Sequence, residues 1–257
     1  MSKISSSPCS VPVSSPLRHA NGRGYGLWAA VFVLALTCIP ASTSAQSRAE
    51  APDTIAARLQ ACAACHGNDG EGTTNEDFPR LAGKPAEYLM HQLVAFRDSR
   101  RSYLPMNYLL EYQNDAFLHQ VADYYASRHP VLRPQVRSDI SPATLQRGRS
   151  IATEGNQAAG TLACAACHGA RFTGMQPAIP GLIGLRASYI SAQLGAWRYG
   201  TRTAAAPDCM QVVAAALTEA DTTAVAAWLA AQPIPPDPAP MEQHAVKIPT
   251  RCGSEPQ

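Results

Sequence analysis

The sequence predicts an all-α protein made of two tandem, related helical domains, and three observations predict it. A nine-residue word occurs twice, as LQACAACHG over residues 59–67 and as TLACAACHG over 161–169. Beyond it, Pro79, Leu81, Gly83, Tyr88, Gln92, Leu93, Arg97 and Arg101 recur 101 positions later as Pro180, Leu182, Gly184, Tyr189, Gln193, Leu194, Arg198 and Arg202, so the chain carries a duplication. Apolar residues in both copies fall at helical spacing, and strand alternation is nearly absent. The expected division is a leader over 1–45, domains over 46–134 and 135–234, and a proline-rich tail over 235–257.

The leader is read from Lys3, Arg18 and Arg23 ahead of the apolar run Leu27–Ile39, followed by small residues up to Ala45. A run of 13 residues falls short of the roughly 20 that a spanning helix needs, so cleavage and export are expected rather than a membrane anchor. Cys38 sits in a poor context for lipid attachment. Without the leader, 18 basic side chains face 19 acidic ones, and a near-neutral chain leaves no footprint for nucleic acid. Six of the eight cysteines would then enter an oxidising compartment.

Within each domain the elements follow in order. Pro52-Asp53 and Ser141-Pro142 are helix starts leading into the repeated word. Pro85 opens a second helix with Tyr88, Leu89, Leu93 and Phe96 on one face, and Arg186 to Trp197 repeats it. A third helix follows Asn114 in one copy and Thr218 in the other, where Thr218-Glu219-Ala220-Asp221 has the pattern of a capping box. Residues 128–141, with Pro130 and Pro134, read as a linker, and Pro233 onward as an extended tail.

The word itself contains Cys-x-x-Cys-His, the attachment signature of c-type haem. Cysteines three positions apart lie on one side of a helical turn, so Cys62 with Cys65, and Cys164 with Cys167, can each add to the two vinyl groups along one haem edge. His66 and His168 are then carried beneath the iron as proximal ligands. Two covalent haem groups are expected. Zinc is the rival for the cysteines, but paired knuckles usually lie roughly 15 to 20 residues apart, and here 98 residues separate Cys65 from Cys164. A covalent macrocycle also supplies bulk to domains whose size leaves a core marginal.

For the sixth ligand each copy offers a methionine, Met106 at 40 residues after His66 and Met210 at 42 after His168. Thioether ligation raises the potential and fills the coordination sphere, which suits electron transfer. The alternative is that both are gap-filling core methionines. Met90 and Met175 read as packing or surface residues. The carbonyls of Pro79 and Pro180 could fix the histidines through the other ring nitrogen; equally, these prolines could only shape loops. His91, His119, His129 and His244 have no repeat counterpart and read as surface or core-edge groups. Cys209 and Cys252 leave three readings open: a disulfide, free thiols, or Cys209 as an iron ligand.

With these residues in hand the chain resembles the di-haem cytochrome c4 family and its relatives, among them the cytochrome subunit of flavocytochrome c sulfide dehydrogenase. The match spans about residues 55 to 231 and is carried by the two CAACHG words, PRLAGKPAEYLMHQLVAFRDSRR, PGLIGLRASYISAQLGAWRYGTR, Met106, Met210 and the pairs Tyr124-Tyr125 and Trp228-Leu229. The resemblance implies two class I cytochrome c domains related by a pseudo-twofold axis and a periplasmic carrier rather than an enzyme. It implies thioether attachment at Cys62, Cys65, Cys164 and Cys167, with axial pairs His66/Met106 and His168/Met210. Implied partners are a terminal oxidase, a quinol-oxidising complex or a dehydrogenase, and peripheral membrane association is left open. Two other functions stand beside the free carrier: an electron-accepting subunit of a sulfide or alcohol/sugar dehydrogenase complex, and a haem enzyme acting on peroxide or sulfur compounds. The insertion TAAAPDCM before Met210 and the long tail depart from the pattern.

Overall fold

The computed structural model describes residues 53–75, 77–129, 131–135 and 139–255. The expected leader, and Pro52, lie outside them. Residues Glu50–Gln257 form one compact unit containing two hydrophobic cores.

In the first half, the Thr54 hydroxyl accepts from the amide of Ala57 and starts α1 (Ile55–Arg58). The helix stops at Leu59, whose side chain is buried, and α2 (Gln60–His66) carries the first cysteine word. Pro85 precedes α3 (Ala86–Arg97), which buries Leu89, Met90, Ala95 and Phe96. A short α4 (Leu104–Leu110) follows, with Pro105 in its first turn. Asn114 then caps α5 (Asp115–Ala126) by accepting from Phe117 at 2.9 Å. Leu118, Val121, Ala122 and Tyr125 of α5 pack with the buried face of α3 and with Leu59 to form the first core.

The second half repeats the plan. Ser141 caps α6 (Pro142–Glu154), and Pro142 occupies the first turn, where its missing N–H costs nothing. The second cysteine word ends in the single turn α7 (Ala165–His168). Next come α8 (Ala187–Arg198), α9 (Cys209–Ala216) and α10 (Glu219–Ala230), the last begun by the expected capping box of Thr218 and Asp221. α10 packs against α6 and α8. A side chain at Gly148 would put its Cβ 2.1 Å from the carbonyl oxygen of Ala224, so the close crossing of α6 and α10 requires glycine there.

Helical periodicity gave no sign of α4 and α9. At seven and eight residues they are shorter than the window over which that period can be read. Among the described residues no single helix is long and apolar enough to cross a membrane.

The halves meet at a two-sided seam. Arg101 and Arg202 form an antiparallel bridge, flanked by Ser102 N–H to Thr201 O at 3.0 Å and Thr203 N–H to Arg100 O at 2.8 Å. Arg101 donates to the Tyr189 hydroxyl (2.8 Å) and to Gln193 Oε1 (2.7 Å). Arg202 reciprocates with the Tyr88 hydroxyl (3.2 Å) and Gln92 Oε1 (2.6 Å). Exchanging the halves exchanges these bonds, which is the signature of a pseudo-twofold axis. The duplicated Tyr, Gln and Arg positions therefore build the joint between the copies. Beyond α10 the described tail is irregular, with turns at Gln243-His244 and Gly253-Ser254, and it is wound onto the second half and tied there by a disulfide between Cys209 and Cys252.

Candidate functional site

α2 places Cys62 and Cys65 on one side of its last turns as half-buried free thiols, and puts His66 at its end. Gly67, at φ 85° and ψ 158°, turns the chain sharply away; Gly169 does the same after His168 at φ 78° and ψ 158°. The His66 ring is buried, with Nδ1 at 2.9 Å from the carbonyl oxygen of Pro79; His168 Nδ1 lies 2.8 Å from that of Pro180. A carbonyl can only accept, so in each ring Nδ1 carries the proton and Nε2 keeps its lone pair for a metal. Both prolines thus present their carbonyls to the histidines.

Burial depresses the His66 pKa against the opposing pull of the Pro79 bond, and Arg101 lowers it further. His168 is depressed by burial in the same way, with Lys84 adding to the effect. Both imidazoles are held neutral, the ligating form. Burial also raises the Cys62 thiol and pushes that of Cys164 up to about 11.

Each histidine opens onto a cavity. The first, about 360 Å³, is lined by His66, Met106, Leu89, Phe96 and Tyr125. The second, about 440 Å³, is lined by Cys164, Cys167, His168, Met210, Ile190 and Leu229. Each methionine therefore shares a cavity with the histidine of its own half. α4 holds Met106; α9 holds Met210, whose N–H donates to the capping carboxylate of Asp208. Met90 and Met175 are buried. His91 and His119 border the second cavity, and His244 lines a separate groove along the tail.

The two cavities share Lys84, Tyr88, Gln92, Tyr189, Gln193 and Arg202 as lining residues, so they meet at the seam. There Arg80, Lys84, Arg101 and Arg202 are all buried. Among the described residues none of these four is paired with a carboxylate. Lys84 donates to the Gly181 carbonyl at 2.9 Å and Arg80 to those of Ala82 and Ile183. Arg101 and Arg202 also lie over the rings of Phe96 and Trp197, at 4.4 and 3.6 Å from their centroids. Burial draws the Arg80 pKa down to about 10 and drives that of Lys84 well below normal, with the neighbouring cations adding to the second effect. Arg80 Nε and Trp197 Nε1 are buried without a partner. Such an arrangement is costly unless something anionic completes it. Haem c brings propionate carboxylates, so the residues present fit the group implied by the cysteine words. Sequence reasoning matched Arg101 and Arg202 by repeat but missed Arg80 and Lys84. Lys84 has no basic counterpart, because position 185 is leucine.

Comparison with known proteins agrees with this geometry. A family model described as Cytochrome c matches residues 54–117 and 152–232. The thiosulfate dehydrogenase electron acceptor of Thiomonas intermedia is 37% identical over 183 residues, covering 71% of this chain and 83% of that protein. Cytochrome c4 of Pseudomonas aeruginosa is 33% identical over 175 residues, 67% of this chain and 84% of the other. The crystal structure of reduced recombinant cytochrome c4 from Pseudomonas stutzeri superposes with a TM-score of 0.61 at 28% identity, spanning 69% of this chain and 96% of that one. Two haem c groups are accordingly this chain's cofactors, and with its duplicated cores, neutral histidines and cationic seam the chain belongs to the cytochrome c family, as a di-haem member of the c4 group.

Proposed function

We propose that this electron-transfer protein works in the periplasm, with His66/Met106 and His168/Met210 as the axial pairs of its haems, accepting electrons from a sulfur-oxidising dehydrogenase and passing them to a respiratory acceptor. Each bound haem supplies one-electron cycling between Fe(II) and Fe(III). The observation that carries the ligand reading is that each methionine lines the cavity of its own histidine. The carbonyls of Pro79 and Pro180 hold the histidine rings in one tautomer and orientation. The shared wall of Tyr88, Gln92, Tyr189, Gln193 and Arg202 keeps the two sites adjacent, which supports passage of an electron between them.

The dehydrogenase partner is favoured by the name carried by the Thiomonas intermedia relative. Export is favoured by the basic and apolar leader. A haem enzyme would need an open sixth position, which two thioethers oppose.

The test pairs two measurements on the purified holoprotein. The weak red absorption band of Fe(III) bound to thioether should fall by about half in Met106→Ala and again by about half in Met210→Ala. Thiosulfate with a catalytic amount of a thiosulfate dehydrogenase should reduce both haems of the unaltered protein. A full red band in either variant overturns that ligand assignment, and haems left oxidised overturn the partner.

A further inference from the structure

The two sites share one plan, but the chain's own tail runs across the second alone among the described residues. Met241 is the first anchor. Its N–H donates to the Gly174 carbonyl at 2.9 Å, and its carbonyl accepts from Gln176 at 2.8 Å. The Met241 side chain fills the space above Gly169, the residue after His168, where a Cβ would come within 2.5 Å of the Met241 methyl. The second anchor lies on the methionine side. Cys252 is bonded to Cys209, and the Gly253 N–H donates to the Pro207 carbonyl at 2.9 Å. Gly253 sits so close to the chain before α9 that a Cβ there would lie 2.2 Å from the Ala206 oxygen.

Ile248 and Thr250 between these anchors, and Cys252, Ser254 and Glu255 at and just beyond the second, line the same cavity as Cys167, His168 and Met210. The segment is thus fastened once beside the haem word and once beside the proposed sixth ligand. It forms part of the wall of the site. Among the described residues, none beyond Arg202 lines the first cavity. There Leu104, Tyr108 and Leu109 of α4, and Tyr112 just after it, are exposed in the segment that carries Met106.

We propose that residues 241–255 form a disulfide-anchored strap that shields the second haem site, so that reagents and redox partners from outside exchange with the chain at the first. The part concerning partners rests on the carrier role described above; the shielding itself does not.

Imidazole, a small exogenous ligand for ferric haem, provides the probe. It is titrated into the oxidised holoprotein while the hyperfine-shifted haem methyl resonances are followed by NMR, assigned to each site with Met106→Ala and Met210→Ala. In the intact protein imidazole should bind first at the first site. In Cys252→Ser, in a chain ending at Pro240, and in the unaltered protein after reduction of the disulfide by a dithiol, apparent affinity at the second site should rise by about tenfold or more, because the open state need no longer compete with the strap. Affinity at the first site should not move.

Equal binding at both sites of the intact protein overturns the shield, as does a second-site affinity unchanged in all three opened forms. The red band of the intact protein, recorded alongside, reports methionine ligation separately. Its absence with a strap effect still present would strike the ligand assignment and leave the shield standing.

Discussion

At the scale of single residues, the two haem words work because each places four groups within six residues: two thiols, an imidazole and a glycine. The glycine is the least obvious requirement. Gly67 and Gly169 adopt φ near 80° with ψ 158°, a region that side chains avoid. At Gly169 a methyl would also strike the Met241 side chain, whereas at Gly67 it would meet only the flexible Glu71 carboxylate. Gly67→Ala should therefore cost about 1–3 kcal/mol of stability in denaturant titration from backbone strain alone. Gly169→Ala should cost at least as much, and should additionally loosen the strap. Proteolysis between residues 241 and 255 in Gly169→Ala but not in Gly67→Ala is the expected outcome; identical cleavage in both would refute the contact.

At the scale of elements, the caps decide where helices begin, and α10 has the most elaborate one. Asp221 accepts from the Thr218 amide and hydroxyl at 3.1 and 2.6 Å, and from Arg147 of α6 at 2.7 and 2.8 Å. Burial raises the Asp221 pKa, but the bonds from Thr218 and Arg147 together outweigh it and leave the carboxyl below its ordinary value near 3.8. A carboxyl depressed in the folded state contributes stability above its unfolded pKa and loses it as pH falls through the folded one. The cap should thus be fully effective at neutral pH and fail only below about pH 4. Asp221→Asn should lower stability at pH 7 by about 1 kcal/mol and flatten the acid limb of the stability curve. An acid limb identical to that of the unaltered protein would remove Asp221 from the account. The short helices α4 and α9 are the complementary case, since no periodicity announces them and they hold the two methionines.

At the scale of the whole molecule, the seam joins the halves through groups that each serve both sides. Gln193 Oε1 accepts from Arg101 at 2.7 Å and from Arg202 at 2.8 Å. Gln193→Ala should leave two buried guanidiniums short of an acceptor and cost about 2–3 kcal/mol. Because the bond is shared, both haem environments should weaken together in a thermal melt followed at haem-resolved wavelengths; weakening of the second site alone would mean that the seam does not couple them. Much of this protein was determined by the sequence by itself. Helix caps at Asn114, Ser141 and Thr218, the two cysteine words and the duplication are local in the chain, and local signals need only a few neighbouring residues to be expressed. The histidine tautomers were half legible, because Pro79 and Pro180 recur at the repeat offset while only the folded loop turns their carbonyls onto the rings. The remaining features were decided by the tertiary structure: the meeting of two cavities at four buried cations, the placing of Met106 and Met210 on their own histidines' cavities, and the pairing of Cys209 with Cys252 across a separation of 43 residues. Each depends on groups far apart in sequence whose proximity comes from burying two cores and closing the chain upon itself, and no local pattern encodes such proximity.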